Sequence, residues 1–170
     1  MQSPRGVRAY AEVKVAVENG DCENSTTLYV ARGVDGTFRS VYTKTKGGNG
    51  IHFLGWSPYG DELLAEVNLW EYETDRGYDH VAILYDDSSD SAKEIPELNR
   101  ALLHHFGADC EFEHAVQGWK NNERILVKVS KSPENDSYEQ HFCVDRPRLF
   151  EFDLKSKILQ AYEQEAPRKH

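Results

Sequence analysis

The chain has 170 residues, of which 39% are hydrophobic and 11% aromatic, and its formal net charge is −9. That charge, without any clustered run of Lys and Arg, argues against a nucleic-acid partner, because gripping a phosphate backbone requires one. The length suits one domain with its own core, the aromatic content argues against a disordered chain, and no apolar run approaches the roughly 20 residues of a membrane-spanning helix.

The first element is Ala9–Val17, in which Ala9, Ala11, Val13, Val15 and Val17 alternate with other residues. Period two predicts a half-buried strand with these five on the covered face. Glu18–Asn24 has the turn chemistry of a loop. Thr26–Arg32 and Thr37–Thr43 follow as strands around a tight turn at Val34-Asp35-Gly36, and Lys46-Gly-Gly-Asn-Gly50 predicts a break. Ile51–Trp56 is the next strand, and Ser57-Pro-Tyr-Gly60 a turn with Pro at its second position. Glu62–Tyr72 is a long alternating strand, Glu73–Tyr78 a loop, His80–Tyr85 an apolar strand and Asp86–Ser91 a polar turn.

One helix is predicted over residues 96–106. Pro96 suits its first position, Leu98, Leu102 and Phe106 recur every fourth residue, and Gly107 suits the cap. Strands then follow at Phe112–Trp119 and Arg124–Val129 around a turn at Lys120–Asn122. After a polar loop at Ser130–His141 comes a strand at Leu149–Leu154, a turn at Lys155–Lys157 and a last short strand or helical tail at Ile158–Tyr162.

These elements repeat. Gly55-Trp56 recurs as Gly118-Trp119, each leading through a turn into an apolar strand, and Ala9–Val13, Leu63–Val67 and Ile125–Val129 superpose without gaps. An ordered series of this kind predicts an all-β chain of antiparallel hairpin repeats, since one such unit cannot bury its own faces. The expected organisation is a single β-repeat domain over 1–170, with cycles at about 9–46, 51–95 and 112–162 and one short inserted helix.

Leu54-Gly-Trp-Ser-Pro-Tyr-Gly-Asp-Glu-Leu-Leu64 resembles the strand-turn-strand unit of TolB-type and WD40-like β-propeller repeats. Val81–Asp86 is similar to the third strand of such a blade, and Leu149–Leu159 to its third strand, turn and fourth strand. The resemblance implies a propeller-like fold, partial in this chain because propellers usually close with about four to eight blades. A longer chain could complete the ring, or two chains could do so by symmetric association. The alternative is a β-sandwich or open barrel built from the same hairpins.

Residues with catalytic or ligating chemistry are present but not in established patterns. His104, His105, Cys110 and His114 are zinc-type side chains without a finger's spacing, and surface histidines at a helix end are expected. Asp86, Asp87 and Asp90 lack the spacing of a calcium loop and are expected to form a solvated turn. No metal and no cofactor is expected. Cys22, Cys110 and Cys143 form no C-x-x-C motif. Three unreactive thiols are the expectation, with a Cys110–Cys143 bridge as the alternative. Met1–Gly6 lacks the apolar stretch of a secretory leader, so the chain is expected to be cytoplasmic, or exported with its leader removed.

Trp56 and Trp119 hold equivalent repeat positions and are expected to pack between sheets. Trp70 lacks a counterpart and, with Tyr72 and Tyr78, forms a candidate binding surface, although burial of Trp70 in the core is the competing expectation. No nucleophile elbow, phosphate loop or dinucleotide fingerprint occurs. The leading expectation is therefore a noncatalytic module that presents loops 18–25, 73–79 and 130–142 to a protein partner. Two alternatives stand beside it: a hydrolase of carbohydrate-like substrates using Glu66, Glu71, Glu73 or Asp75, whose bland reading is a strand's wet face, and a self-associating structural domain that forms a homodimer.

Overall fold

The computed structural model describes residues 1–18, 21–33, 35–45, 47–70, 79–132 and 141–162, with the backbone alone at Glu18, Asp21 and Cys22. The described residues are mostly strand, in three antiparallel sheets, with one short helix. That helix is not long and apolar enough to cross a membrane. The chain divides into two compact units, Met1–Pro96 and Glu97–His170.

In the first unit, β1 (Arg8–Glu18), β2 (Asp21–Ala31) and β3 (Arg39–Thr45) form a sheet in the order β1-β2-β3. A second sheet holds β4 (Gly48–Trp56), β5 (Glu62–Trp70), β6 (Asp79–Asp86) and β7 (Ser91–Glu94) in chain order. The two share one core. Val7, Ala9, Leu28 and Val30 come from the first sheet's side, and Leu63, Ala65, Val67, Ile83 and Tyr85 from the second. Register explains the selection: Leu63 opposes Tyr85 and Ala65 opposes Ile83, so one pleat face of β5 and β6 is continuously apolar. Trp56 packs against this core, edge-on to Tyr85 at 6.1 Å. The other face of β5 is covered too, since Leu64 and Glu66 are also buried.

Three boundaries differ from expectation. The predicted loop at 18–24 is largely strand: β1 and β2 pair without interruption from Arg8 opposite Ala31 to Glu18 opposite Asp21. An 11-residue strand must satisfy its main-chain groups on at least one side, and β2 supplies the partners. The tight turn expected at 34–36 is replaced by a wider connection, β3 beginning only at Arg39. Phe38 stands outside the strand, with its ring edge-on to Tyr10 at 4.8 Å and Arg8 over its face at 5.0 Å.

The third difference is the glycine-rich break expected at 46–50. Gly48, Asn49 and Gly50 instead open β4. Trp70, directly opposite Gly48, lays its indole across Gly48 and 3.6 Å from where a Gly50 side chain would begin. Glycine here accommodates a ring rather than a turn. Strand β7 escaped prediction because Ser91-Ala-Lys-Glu94 shows little apolar pattern, and pairing with β6 makes it a strand.

In the second unit, α1 (Pro96–Phe106, beginning at the first unit's last residue) runs over the predicted residues. Leu98 and Leu102 are buried, Phe106 meets Phe112 and Phe150, and Gly107 N–H donates to Leu103 C=O at 2.9 Å. Strands β8 (Phe112–Trp119), β9 (Arg124–Lys131), β10 (Arg148–Asp153) and β11 (Leu159–Ala161) form a four-stranded sheet in chain order. Its buried residues include Val116, Ile125, Val127, Val129, Phe150 and Phe152. Cys110 and Cys143 are joined by a disulfide, correcting the expectation of three free thiols. A parallel bridge between Glu111 and Phe142 brings the two segments together beside it.

Candidate functional site

Two hairpins share one construction. The β4–β5 register shifts between Phe53 and Gly55, leaving Trp56 opposite Leu63, and the β8–β9 register shifts between Val116 and Gly118, leaving Trp119 opposite Ile125. Gly55 has φ +130° and Gly118 φ +133°, a backbone region that favours glycine, which explains why Gly precedes Trp in both.

The acidic clusters are paired with bases. Asp87 meets Arg32 at 2.7 Å, and Asp90 contacts Arg39 while accepting a hydrogen bond from the Tyr85 hydroxyl at 3.0 Å. The expected solvated turn is therefore an ion-paired clasp between the two sheets of the first unit. Burial and the bond to Asp90 push the Tyr85 hydroxyl up to about 12. At Asp86 burial acts to raise the pKa, yet hydrogen bonds from Ser88 and Ser89 outweigh it and hold the carboxyl below its ordinary value. Glu94 accepts from Lys44 at 3.0 Å and Tyr42 at 2.8 Å, and those bonds hold it below the usual range. In the second unit Arg124 bridges Glu151 at 3.0 Å and Asp153 at 3.4 Å.

Among the carboxylates considered for hydrolysis, Glu71, Glu73 and Asp75 lie outside the described residues. Glu66 is 5% exposed, so it does not belong to a wet face. It lies 3.5 Å from His80 Nδ1, which also stands 3.0 Å from the Asn68 side-chain oxygen. Of the four zinc-type residues, Cys110 is in the disulfide, and His105 packs edge-on against Phe106 and Phe150. Among the described residues no group of three or more His, Cys, Asp or Glu is arranged to hold a metal.

Of the aromatic surface expected at Trp70, Tyr72 and Tyr78, only Trp70 is described, half-buried on the glycines of β4. A row of exposed apolar side chains among the described residues lies instead on β1. Val13, Val15 and Val17 are 49%, 63% and 68% exposed, whereas Ala9, on the same face, is buried. The sequence pattern assigned all five residues to a covered face. Only its beginning is covered, because β4 engages β2 beside this stretch: Asn24 and Thr26 reach Asn49, and β1 lies outside them.

β1 is also an edge. Met1 C=O accepts from Ala9 N–H at 2.8 Å and the Met1 amino group donates to Ala9 C=O at 2.7 Å. The main-chain groups of Ala9 therefore point away from β2, and by alternation along an unbroken ladder so do those of Ala11, Val13, Val15 and Val17. On the strand's other face Tyr10 stacks on Tyr29 at 4.9 Å, and Glu12 accepts from the Tyr29 hydroxyl at 3.4 Å and pairs with Lys14 at 3.4 Å. Beyond Met1 at Ala9, no strand among the described residues pairs with this edge, and there it coincides with an apolar row and an adjoining aromatic–ionic face. The signal available in the sequence was Asn19-Gly20, a common two-residue hairpin dipeptide, which extends both flanking strands toward it.

Comparison with protein-family models, with curated proteins and with solved structures finds no match for this chain.

Proposed function

We propose that the chain is a noncatalytic binding module whose protein partner docks on the outer edge of β1. The observation that carries this reading is the exposed row Val13, Val15 and Val17 on an edge strand. Water at three consecutive outward valines is unfavourable, and open main-chain groups offer a partner strand both hydrogen bonds and registry. This moves the contact from the loops toward the β1–β2 ribbon. Residues 21–25 are strand, and loops 73–79 and 130–142 lie mostly outside the described residues.

The propeller-like reading is part of the same proposal. Its support is the shared bulge before Trp56 and Trp119 in two four-stranded meanders, which suits blade-like units of one type. Ring closure would come from further units in a longer chain or from a second chain.

The test compares the full chain with a Val13→Lys/Val15→Lys variant, each immobilised and exposed to an extract of its source. Retention of a protein by the native chain and its loss in an equally folded variant is expected. Equal retention by both would remove β1 as the contact.

A further inference from the structure

We infer that the protein partner fills this edge with an extended segment antiparallel to β1, in the seat that β4 and β8 hold beside β5 and β9. That segment carries apolar residues opposite Ala11, Val13 and Val15, a basic residue opposite Glu12 and an acidic one opposite Lys14. This gives the chemistry of the partner proposed above and rests on that reading.

Equivalence among the sheets marks the seat. Ala9–Val13 corresponds to Leu63–Val67 of β5 and to Ile125–Val129 of β9. β4 and β8 flank those two strands on the side away from β6 and β10, both antiparallel. On that side of β1, among the described residues, only Met1 and Gln2 pair, with Ala9 and Arg8. They stand where Gly55-Trp56 ends β4, because Ser3-Pro-Arg-Gly6 forms the same kind of turn as Ser57-Pro-Tyr-Gly60. Gly6 N–H donates to Ser3 C=O at 3.0 Å and Gly60 N–H to Ser57 C=O at 2.8 Å, and both glycines have positive φ. Each serine is buried, its hydroxyl accepting from Val7 N–H at 3.0 Å or from Glu62 N–H at 3.2 Å. A strand in the equivalent of β4's seat therefore lies along Ala11–Val17 and runs toward Met1.

β4 and β8 also show what such a seat takes. The residues corresponding to Ala11, Val13 and Val15 face Phe53, Ile51 and Asn49 of β4, and Val116, His114 and Phe112 of β8. Four of these six are apolar, and apolar neighbours would draw Val13 and Val15 out of water. Glu12 and Lys14 lie on the other face, both solvent-exposed. Opposite charges across a ladder stabilise it and like charges directly opposite destabilise it, which places a base at Glu12 and an acid at Lys14. Read in its own direction, the docked segment is apolar, acidic, apolar, basic, apolar. β1 of a second copy has this order over Ala11–Val15, but in that register its Val17 would fall on Ala9, which Met1 already holds. The occupant is therefore a foreign segment that ends or turns away beyond Ala11.

Titration of synthetic peptides into the full chain, followed by NMR at the Ala11, Val13, Val15 and Val17 amides, tests this. The capped peptide Thr-Ile-Glu-Ile-Lys-Phe complements β1 when antiparallel. Thr-Ile-Lys-Ile-Glu-Phe, of the same composition, does so only when parallel. The first is expected to bind about tenfold more tightly, through two cross-strand charge pairs. Glu12→Lys/Lys14→Glu is expected to reverse that preference, which also excludes misfolding as its cause, and Val13→Lys/Val15→Lys to abolish binding of both peptides. Equal binding of the two, a preference for the second, or no shift at these amides with either would overturn the inference. Shifts that depend on the concentration of the chain alone would mark a second copy on the edge and overturn it too. In any of these cases, loss of a foreign protein through Val13→Lys/Val15→Lys would still uphold the edge as a binding site, so the two proposals fail separately.

Discussion

Asn24 and Asn49 exchange hydrogen bonds between the two sheets of the first unit. Asn24 Nδ2 donates to Asn49 C=O at 3.2 Å, and Asn49 Nδ2 donates to Asn24 C=O at 2.9 Å, with both residues buried. Thr26 Oγ1 donates to the same Asn49 carbonyl at 3.1 Å. Removing one amide strands a buried carbonyl, which costs more than the net value of the bond. Asn49→Ala is expected to lower stability by about 1–3 kcal/mol in urea denaturation. An unchanged midpoint would show that the sheets are held without this exchange.

Gly48 and Trp70 supply a second test. A methyl group at Gly48 would overlap the Trp70 indole, so Gly48→Ala must displace the ring or the strand. The expected loss is about 1–3 kcal/mol, the usual cost of forcing atoms into an occupied space. In a Trp70→Ala background the same substitution should cost far less. A double-mutant cycle reads this coupling, and additive effects would refute the contact as the reason for glycine.

The Cys110–Cys143 bridge closes a sequence separation of 33 residues in the second unit. Cross-linking limits the unfolded chain, so replacing both cysteines with serine is expected to lower that unit's stability by about 2–4 kcal/mol. Hydrogen exchange of β8 and β9 would localise the loss. Protection unaltered in both strands would contradict it.

Glu94 sets an acid dependence. Lys44 first, then Tyr42, hold its folded pKa below the ordinary value. The contribution is therefore complete above the unfolded value of about 4.3 and is lost as pH falls through the lowered folded value. The carboxylate is 39% exposed, so solvent screening keeps the effect small. Glu94→Gln is expected to lower the neutral plateau of a stability–pH profile slightly while leaving its acid end unchanged, which flattens the acid limb, and an unaltered profile would exclude the pair as its source.

Local chemistry alone determined much of the architecture. The limits of α1 followed from Pro96, the fourfold spacing of Leu98, Leu102 and Phe106, and Gly107, because helix starts, stops and faces are written within a few residues. Most strands followed from alternation for the same reason, and β8 agrees with its expected range from Phe112 to Trp119. What alternation cannot encode is which stretch of a face another segment covers. It named Val13, Val15 and Val17, the residues of the candidate site, yet assigned them to the core. Whether they meet protein or water depends on where β4, more than thirty residues away, comes to lie. The same holds for Glu66, buried on a strand face expected to be wet, for the Trp70 ring that turned a predicted break into β4, and for the pairing of Cys110 with Cys143. Periodicity and capping are local and survive in one dimension, whereas burial is a property of neighbours that only the folded chain assembles.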